Sequence, residues 1–209
     1  MSARTILTLA DGRNIDLLNP KPENYGNLAW AAEHLAKENR YNGATPGVVY
    51  SVAQHTSECV RAVLRDSGDR TLAAYLSLHD VHEAVLKDDT TPKKRTFAAI
   101  AETKFGVLAN QVMSVFDELT DRHDAAIHAA AGLSWPPAPE IAAAIKHYDR
   151  ALLVTEWRDL MGDVPLPNAE AYADVSPLQH RIVPINKWET AAMVLRAQWR
   201  ELLPVFLEL

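Results

Sequence analysis

Apolar residues recur at intervals of three and four along roughly Ser51 to Arg65, Thr71 to Lys87, Phe97 to about Thr120, Pro139 to Met161 and Asn186 to Phe206. That spacing lays one apolar stripe along an α-helix. A chain with so many striped helices must bury the stripes against one another, so an all-α bundle is predicted. Turn signals such as "DSGD" and "SWPPAP" separate the segments. An earlier helix carries Leu28, Ala31, Ala32 and Leu35 on one face, after the breaker "NPKPENYGN", and "RYNGATPGVVY" reads as a loop. Only the start departs from the helical period. "RTILTLADGRNIDLL" alternates apolar and polar residues about Asp11-Gly12, which predicts a small β-hairpin within residues 1–20. Residues 162–185, rich in Pro and Asp, are expected to be an irregular connection.

At 209 residues and 48% hydrophobic content the chain supports one sizeable core, and a single domain over 1–209 is expected. A net charge of -6 argues against coating nucleic acid, which needs a basic stripe, and leaves room for a small phosphorylated ligand. The lone Cys59 excludes an internal disulfide framework. The apolar stretch near the start is cut by Asp11, too soon for a signal-peptide core, and no run approaches a membrane span. A cytoplasmic address without membrane contact is the expectation.

Several stripes carry groups that resist burial. Leu72, Leu76, His79, Glu83 and Leu86 share one face of the Thr71–Lys87 segment, and Val52, His55, Cys59 and Val63 share one face of the segment before it. Asp149 lies on a stripe with Ile145 and Leu152. A carboxylate buried without a partner costs several kcal/mol. A shared divalent ion compensates all of these at once, with His55, His79, Asp80 and Asp149 as ligands. Asp80 is turned about 100° from His79 around a regular helix, so the pair can share only an ion beside the helix. Taken singly, each residue has an ordinary reading: His55 as a hydrogen-bonded core histidine, His79 with Glu83 as a surface pair, Asp149 as the partner of Arg150 or Arg158. Their coincidence on apolar stripes favours the metal. His34, His123, His128 and His180 read as surface or loop residues, His147 lies off the Asp149 stripe, and His82 reads as solvated or as support for a ligand. Mixed imidazole and carboxylate donors suit Mn²⁺, Co²⁺, Fe²⁺, Ni²⁺ or Mg²⁺, and one metal is expected.

These residues resemble the HD-domain metal-dependent phosphohydrolases. "YSVAQHT" carries the first histidine, "LHDVHEAV" the His-Asp doublet with a glutamate four beyond the histidine, "DDTTPKK" the acidic and basic loop, and "HYDRALL" the last aspartate. "RYNGAT" is similar to the arginine-bearing segment of bacterial 5'-deoxynucleotidases and phage-type members. The likeness covers about residues 40 to 95 and 145 to 153. It implies an HD-domain-like helical bundle with a metal on His55, His79, Asp80 and Asp149. It further implies Glu83 and Asp88 near the attacking water, and Arg40 and Lys93 facing a phosphate. Tyr41 stands where the deoxynucleotidases usually place a tryptophan beside the sugar. The implied activity is release of phosphate from (deoxy)nucleoside 5'-monophosphates by attack of a metal-bound water, with a homodimer as the usual assembly. The alternatives are a deoxynucleoside triphosphate triphosphohydrolase, a di-iron oxygenase and a non-catalytic nucleotide-binding module.

Overall fold

Apolar and polar residues alternate in the first segment, and they pair as the alternation predicts. In the computed structural model, which describes residues 5–206, strands β1 (Ile6–Thr8) and β2 (Asn14–Asp16) run antiparallel, with Leu7 opposite Ile15. The amide of Leu9 donates to the carbonyl of Arg13 at 2.8 Å, closing a three-residue loop in which Gly12 takes φ +85°. Glycine meets that left-handed position without a Cβ clash. The rest of the 1–209 expectation, residues 1–4 and 207–209, lies outside the described residues.

Eight α-helices follow among the described residues: α1 (Ala29–Lys37), α2 (Val52–Asp66), α3 (Arg70–Leu76), α4 (Glu83–Leu86), α5 (Thr91–Phe105), α6 (Ala109–Ala130), α7 (Pro139–Leu160) and α8 (Trp188–Leu202). The protein is therefore all-α with a small N-terminal hairpin. Helix α2 is the axis of the bundle, and α1, α3, α7 and α8 pack around it. Its residues from Val52 to Val60 are all buried, so one stripe understates its burial. Among its polar residues Gln54 and Glu58 are paired with neighbours, whereas the Thr56 and Ser57 hydroxyls have no hydrogen-bond partner among the described residues. Gln54 donates to the Val183 carbonyl and accepts from the Ile185 amide, both at 2.8 Å, and Gln198 donates to the Ser57 carbonyl at 3.1 Å.

Two expected helices are broken. The Thr71–Lys87 segment is α3, a run of tight turns over Ser77–His82, and the short α4. Across the break, amides of Leu78, Val81, Glu83, Ala84 and Val85 each bond three residues back rather than four. Three side chains occupy the freed carbonyls: the Ser77 hydroxyl donates to Ala74, His79 Nδ1 bonds Leu76 at 2.7 Å, and the fully buried Trp199 indole donates to Ser77 at 2.8 Å. The Phe97–Thr120 segment is α5 and α6, folded back at Gly106, whose φ of +54° no helix interior accepts. Pro92 opens α5 at its first turn, so "TPKKR" is helix rather than a basic loop.

Residues 162–185 hold one short 3₁₀ turn at Ala169–Tyr172 and are otherwise turns and coil. They are nonetheless tied down. Arg158 donates to the carbonyls of Leu178 and His180, and the Ile182 amide donates to Asp159 at 2.9 Å. Among the described residues no helix is long and apolar enough to cross a membrane.

Candidate metal centre

The first turn of α2, the turn after α3, and the middle of α7 converge on one point. His55 Nε2 lies 3.2 Å from an Asp149 oxygen and 3.6 Å from an Asp80 oxygen, and His79 Nε2 lies 3.1 Å from the same Asp80 oxygen. The two imidazole rings sit 5.4 Å apart between centroids. The four side chains expected to share an ion are thus brought together. Exposure grades across them: His55 is fully buried, the His79 and Asp80 side chains are 10% and 15% exposed, and Asp149 is 41% exposed. Solvent reaches the cluster from the Asp149 side.

Both rings are oriented from behind. His55 Nδ1 bonds Glu156 Oε1 at 2.6 Å, and His79 Nδ1 bonds the Leu76 carbonyl at 2.7 Å. Each donating Nδ1–H leaves a lone pair on Nε2, and neither Nε2 has a hydrogen-bond partner among the described residues although both are buried. Lone pairs thus face carboxylates with no proton between them, which is an arrangement a cation resolves. Donor atoms about 2.1 Å from one ion lie about 3.0–3.4 Å from each other, and the separations here run from 3.1 to 3.6 Å. The donor set fits a divalent ion. Cys59, one turn beyond His55, joins the two histidines in a group whose donor atoms lie within 4.8 Å of one another and can hold a metal ion. Burial pushes the Cys59 thiol well above its usual range, with Asp149, Glu156 and Asp80 adding to the shift.

The field of the site favours positive charge. Burial and Arg40 oppose a proton on His55, but Glu156, with its hydrogen bond to the ring, and the adjacent Asp149 carboxylate outweigh them and lift its pKa to about 10. Burial opposes ionisation of Asp80 and Asp149, yet the imidazoles, with Arg40, hold both below the usual carboxylate range. A proton and a metal ion therefore compete for one negative pocket.

Glu156 was not anticipated from the sequence. It is fully buried, its Oε2 accepts from the Tyr41 hydroxyl, and it lies 3.3 Å from Arg40 Nε. A signal existed: Glu156 is seven residues from Asp149 on the stripe that includes Leu152, so the stripe turns the same face to the core two turns later. Its partners come from a strained turn in which Tyr41 and Asn42 take φ of +57° and +53°. Such a conformation costs on the order of 1–2 kcal/mol per residue for a side chain with a Cβ. The turn is fixed where Arg40 N–H donates to Tyr50 and Val52 N–H donates to Glu38, both at 3.0 Å.

Placement of the remaining candidates is mixed. Arg40 is 13% exposed and lies between Glu156 and Asp80, at 3.3 and 3.8 Å. Tyr41 is committed by its hydroxyl to Glu156, and its ring meets the edge of Trp157. Glu83 is buried with Oε2 unpartnered. Burial pushes its carboxyl well above the usual range, and Asp80 and Asp88 add to the shift. Asp88 is half-buried, and burial raises it too. Lys93 is not brought to the cluster: it is exposed on the first turn of α5 and paired with Asp89, four residues earlier. Lys94, the next residue, is the lysine whose charge acts on Asp88.

Two of the other histidines correct the surface reading. His123 is fully buried, bonding the Tyr25 hydroxyl at 2.5 Å and the Leu17 carbonyl at 3.0 Å, because the C-terminal half of α6 enters the core. His128 is buried between Tyr75 and Trp135. His34 bonds the Ala84 carbonyl at 3.0 Å, and His180 bonds Glu58 at 3.2 Å. His82 pairs with Asp124 at 2.9 Å, tying the turn after α3 to α6. His147 is exposed. A scan of protein-family models finds no match to the chain, and a search of curated proteins finds none.

Proposed function

We propose that the chain is an HD-type metal-dependent phosphohydrolase acting on nucleotides, releasing phosphate from (deoxy)nucleoside 5'-monophosphates. The observation that carries the reading is the pair of buried, unpartnered Nε2 atoms of His55 and His79 facing Asp80 and Asp149. A divalent ion among these donors, of the Mn, Co, Fe, Ni or Mg class, supplies charge to a phosphoryl oxygen and lowers the pKa of water. Glu156 and the Leu76 carbonyl hold the two imidazoles in the tautomer that presents Nε2.

Glu83 has the environment of a proton-transfer group. A carboxyl driven upward by burial and by two neighbouring acids is suited to accept a proton from attacking water. Asp88, also raised, returns a proton to the leaving 5' oxygen. Water adds to phosphorus, the P–O5' bond breaks, and nucleoside and inorganic phosphate leave. Arg40, held by Glu156 and Asp80, keeps a fixed positive charge beside the phosphate instead of swinging to grip it. Tyr41 positions Glu156 and Arg40, and Lys93 has no role in this reading.

The experiment is a metal-supplemented screen of nucleoside mono-, di- and triphosphates with every phosphorus product read out. Inorganic phosphate from dAMP is the expected result. Tripolyphosphate from dATP assigns the triphosphohydrolase reaction instead. Metal-loaded protein with no phosphorus product from any nucleotide overturns the enzyme reading in favour of a binding module. Asp80→Ala is expected to lose both metal and activity, and full metal occupancy in that variant removes Asp80 from the ligand set.

A further inference from the structure

Cys59 is the one cysteine of the chain, and α2 places it on the face that carries His55. Residues four apart on a helix stand with their Cβ atoms about 5–6 Å apart, so the thiol and the His55 imidazole reach toward one point. His79 approaches that point from the turn after α3, and the ligand atoms of His55, Cys59 and His79 lie within 4.8 Å of one another. A buried cysteine by itself is an ordinary small apolar residue. This one shares its space with two imidazoles whose buried Nε2 atoms have no hydrogen-bond partner among the described residues.

We infer that the pocket has two seats for a metal ion, and that the inner one, made by His55, Cys59, His79 and Asp80, takes a soft divalent cation of the Zn²⁺ class. Hard ions such as Mn²⁺ and Mg²⁺ keep the outer seat, where Asp149 stands in place of Cys59. Both imidazoles and Asp80 belong to both seats, so one ion excludes the other.

Geometry, charge and exposure each support the exchange of Asp149 for Cys59. Bonds of about 2.0–2.1 Å to nitrogen and 2.3 Å to sulfur set the donors of a tetrahedral ion about 3.3–3.6 Å apart. From separations of at most 4.8 Å, each pair closes by about 1.5 Å or less, which side-chain rotation supplies. Two neutral imidazoles, one thiolate and one carboxylate neutralise a dication as two carboxylates do, so no net charge is left buried. The Asp149 side chain is 41% exposed and that of Asp80 only 15%, so Asp149 is the ligand that returns most readily to water. Burial, with Asp149, Glu156 and Asp80, opposes a free thiolate at Cys59. An ion at the sulfur reverses that, because a coordinating thiol is deprotonated outright: the S–H bond breaks, its proton passes to solvent, and a sulfur–metal bond forms. Cys59 is thus a bystander to a hard ion and a ligand to a soft one.

Cd²⁺ is the probe, since a thiolate bound to it absorbs in the ultraviolet and a chain with a single cysteine can give that band only from Cys59. Titration of the metal-free full chain with Cd²⁺ is expected to raise a charge-transfer band that saturates at one ion per chain, and Mn²⁺ to raise none. In equilibrium dialysis, bound Cd²⁺ is expected to displace Mn²⁺. Cys59→Ala and Cys59→Ser are expected to lose the band, to keep their Mn²⁺ affinity, and to bind Zn²⁺ at least roughly tenfold more weakly, the lower bound for losing even a group behind a ligand. Should both variants unfold by circular dichroism, the wild-type band decides alone. A Cd²⁺-treated wild type without the band, Cd²⁺ and Mn²⁺ bound together, or a smaller loss of Zn²⁺ affinity in a folded variant overturns the inner seat. Each outcome is read on the ion, whether or not any nucleotide is hydrolysed.

Discussion

Glu156→Gln isolates the contact that orients His55. Glu156 accepts a hydrogen bond from His55 Nδ1 at 2.6 Å and from the Tyr41 hydroxyl, and it faces Arg40 Nε at 3.3 Å, all fully buried on the Glu156 side. Glutamine keeps the volume and one acceptor oxygen but loses the charge. It leaves Arg40 with only Asp80, at 3.8 Å, as a close counterion. Removing one partner of a buried pair costs about 3–5 kcal/mol when the remaining charge is uncompensated. With Asp80 still present, roughly half of that is expected here. Loss of a carboxylate behind a ligating imidazole lowers metal affinity about 10–100-fold, which is roughly 1.4–2.7 kcal/mol. The two effects are read separately. Denaturant unfolding of the metal-free variant gives the first, and equilibrium dialysis with Mn²⁺ or Co²⁺ gives the second. Metal affinity within a factor of two of wild type, with stability reduced as expected, would refute the orienting role while leaving the ion pair intact.

Glu83→Ala is expected to keep the metal and to lower turnover by at least roughly tenfold, as for removal of a proton-transfer group; metal content and initial rates check it, and unchanged turnover removes Glu83 from the chemistry. Cys59→Ala is expected to retain metal, because burial keeps the thiol protonated and the two imidazoles with Asp80 and Asp149 already complete a donor set; loss of metal by elemental analysis would move Cys59 into that set. Asp159 anchors the 162–185 segment: burial opposes its ionisation, but Arg158, the Ile182 amide and Arg181 lower its pKa from 3.8 to about 2. A depressed acid contributes stability that is complete above the unfolded value and is lost as pH falls through the folded one. That shift is equivalent to roughly 2.5 kcal/mol at most, reduced to about 1–2 kcal/mol by water around the exposed Arg181. The stability gap between wild type and Asp159→Asn, by urea unfolding, should be constant at pH 5 to 7 and close between about pH 4 and 2; a constant gap at pH 2 contradicts the assignment.

What was legible in the sequence follows from what periodicity encodes. Helices α2 and α7 fall within one residue of their expected bounds, because their stripes are long and uninterrupted, while α8 starts two residues later and ends four residues earlier than expected. The cluster of His55, His79, Asp80 and Asp149 was legible because each is polar, or sits beside a polar residue, on an apolar stripe. Glu156 was not, since "TEWRDL" reads as a charged helix end, although its register with Asp149 and Leu152 placed it inward. His123 and His128 were misread for a related reason. The exposed first half of α6 dilutes its apolar pattern, and only the second half enters the core.

The break after α3 shows why local pattern alone could not build the site. Leu72, Leu76, His79, Glu83 and Leu86 are spaced by four, three, four and three, a series that suits an α-helix and that a short run of three-residue turns imitates over so few residues. The choice between them is made by groups distant in sequence. Trp199 of α8, far along the chain, donates its indole N–H to the Ser77 carbonyl, and His82 is drawn to Asp124 of α6. In a continuous helix the Leu76 carbonyl would accept the Asp80 amide. Here His79 Nδ1 takes that carbonyl, which turns Nε2 toward Asp80, at 3.1 Å, and leaves Asp80 within reach of His55 and Arg40 as well. The same interruption that hides the element's true form from a periodicity count thus places two adjacent residues on one point, where a regular helix would splay them about 100° apart.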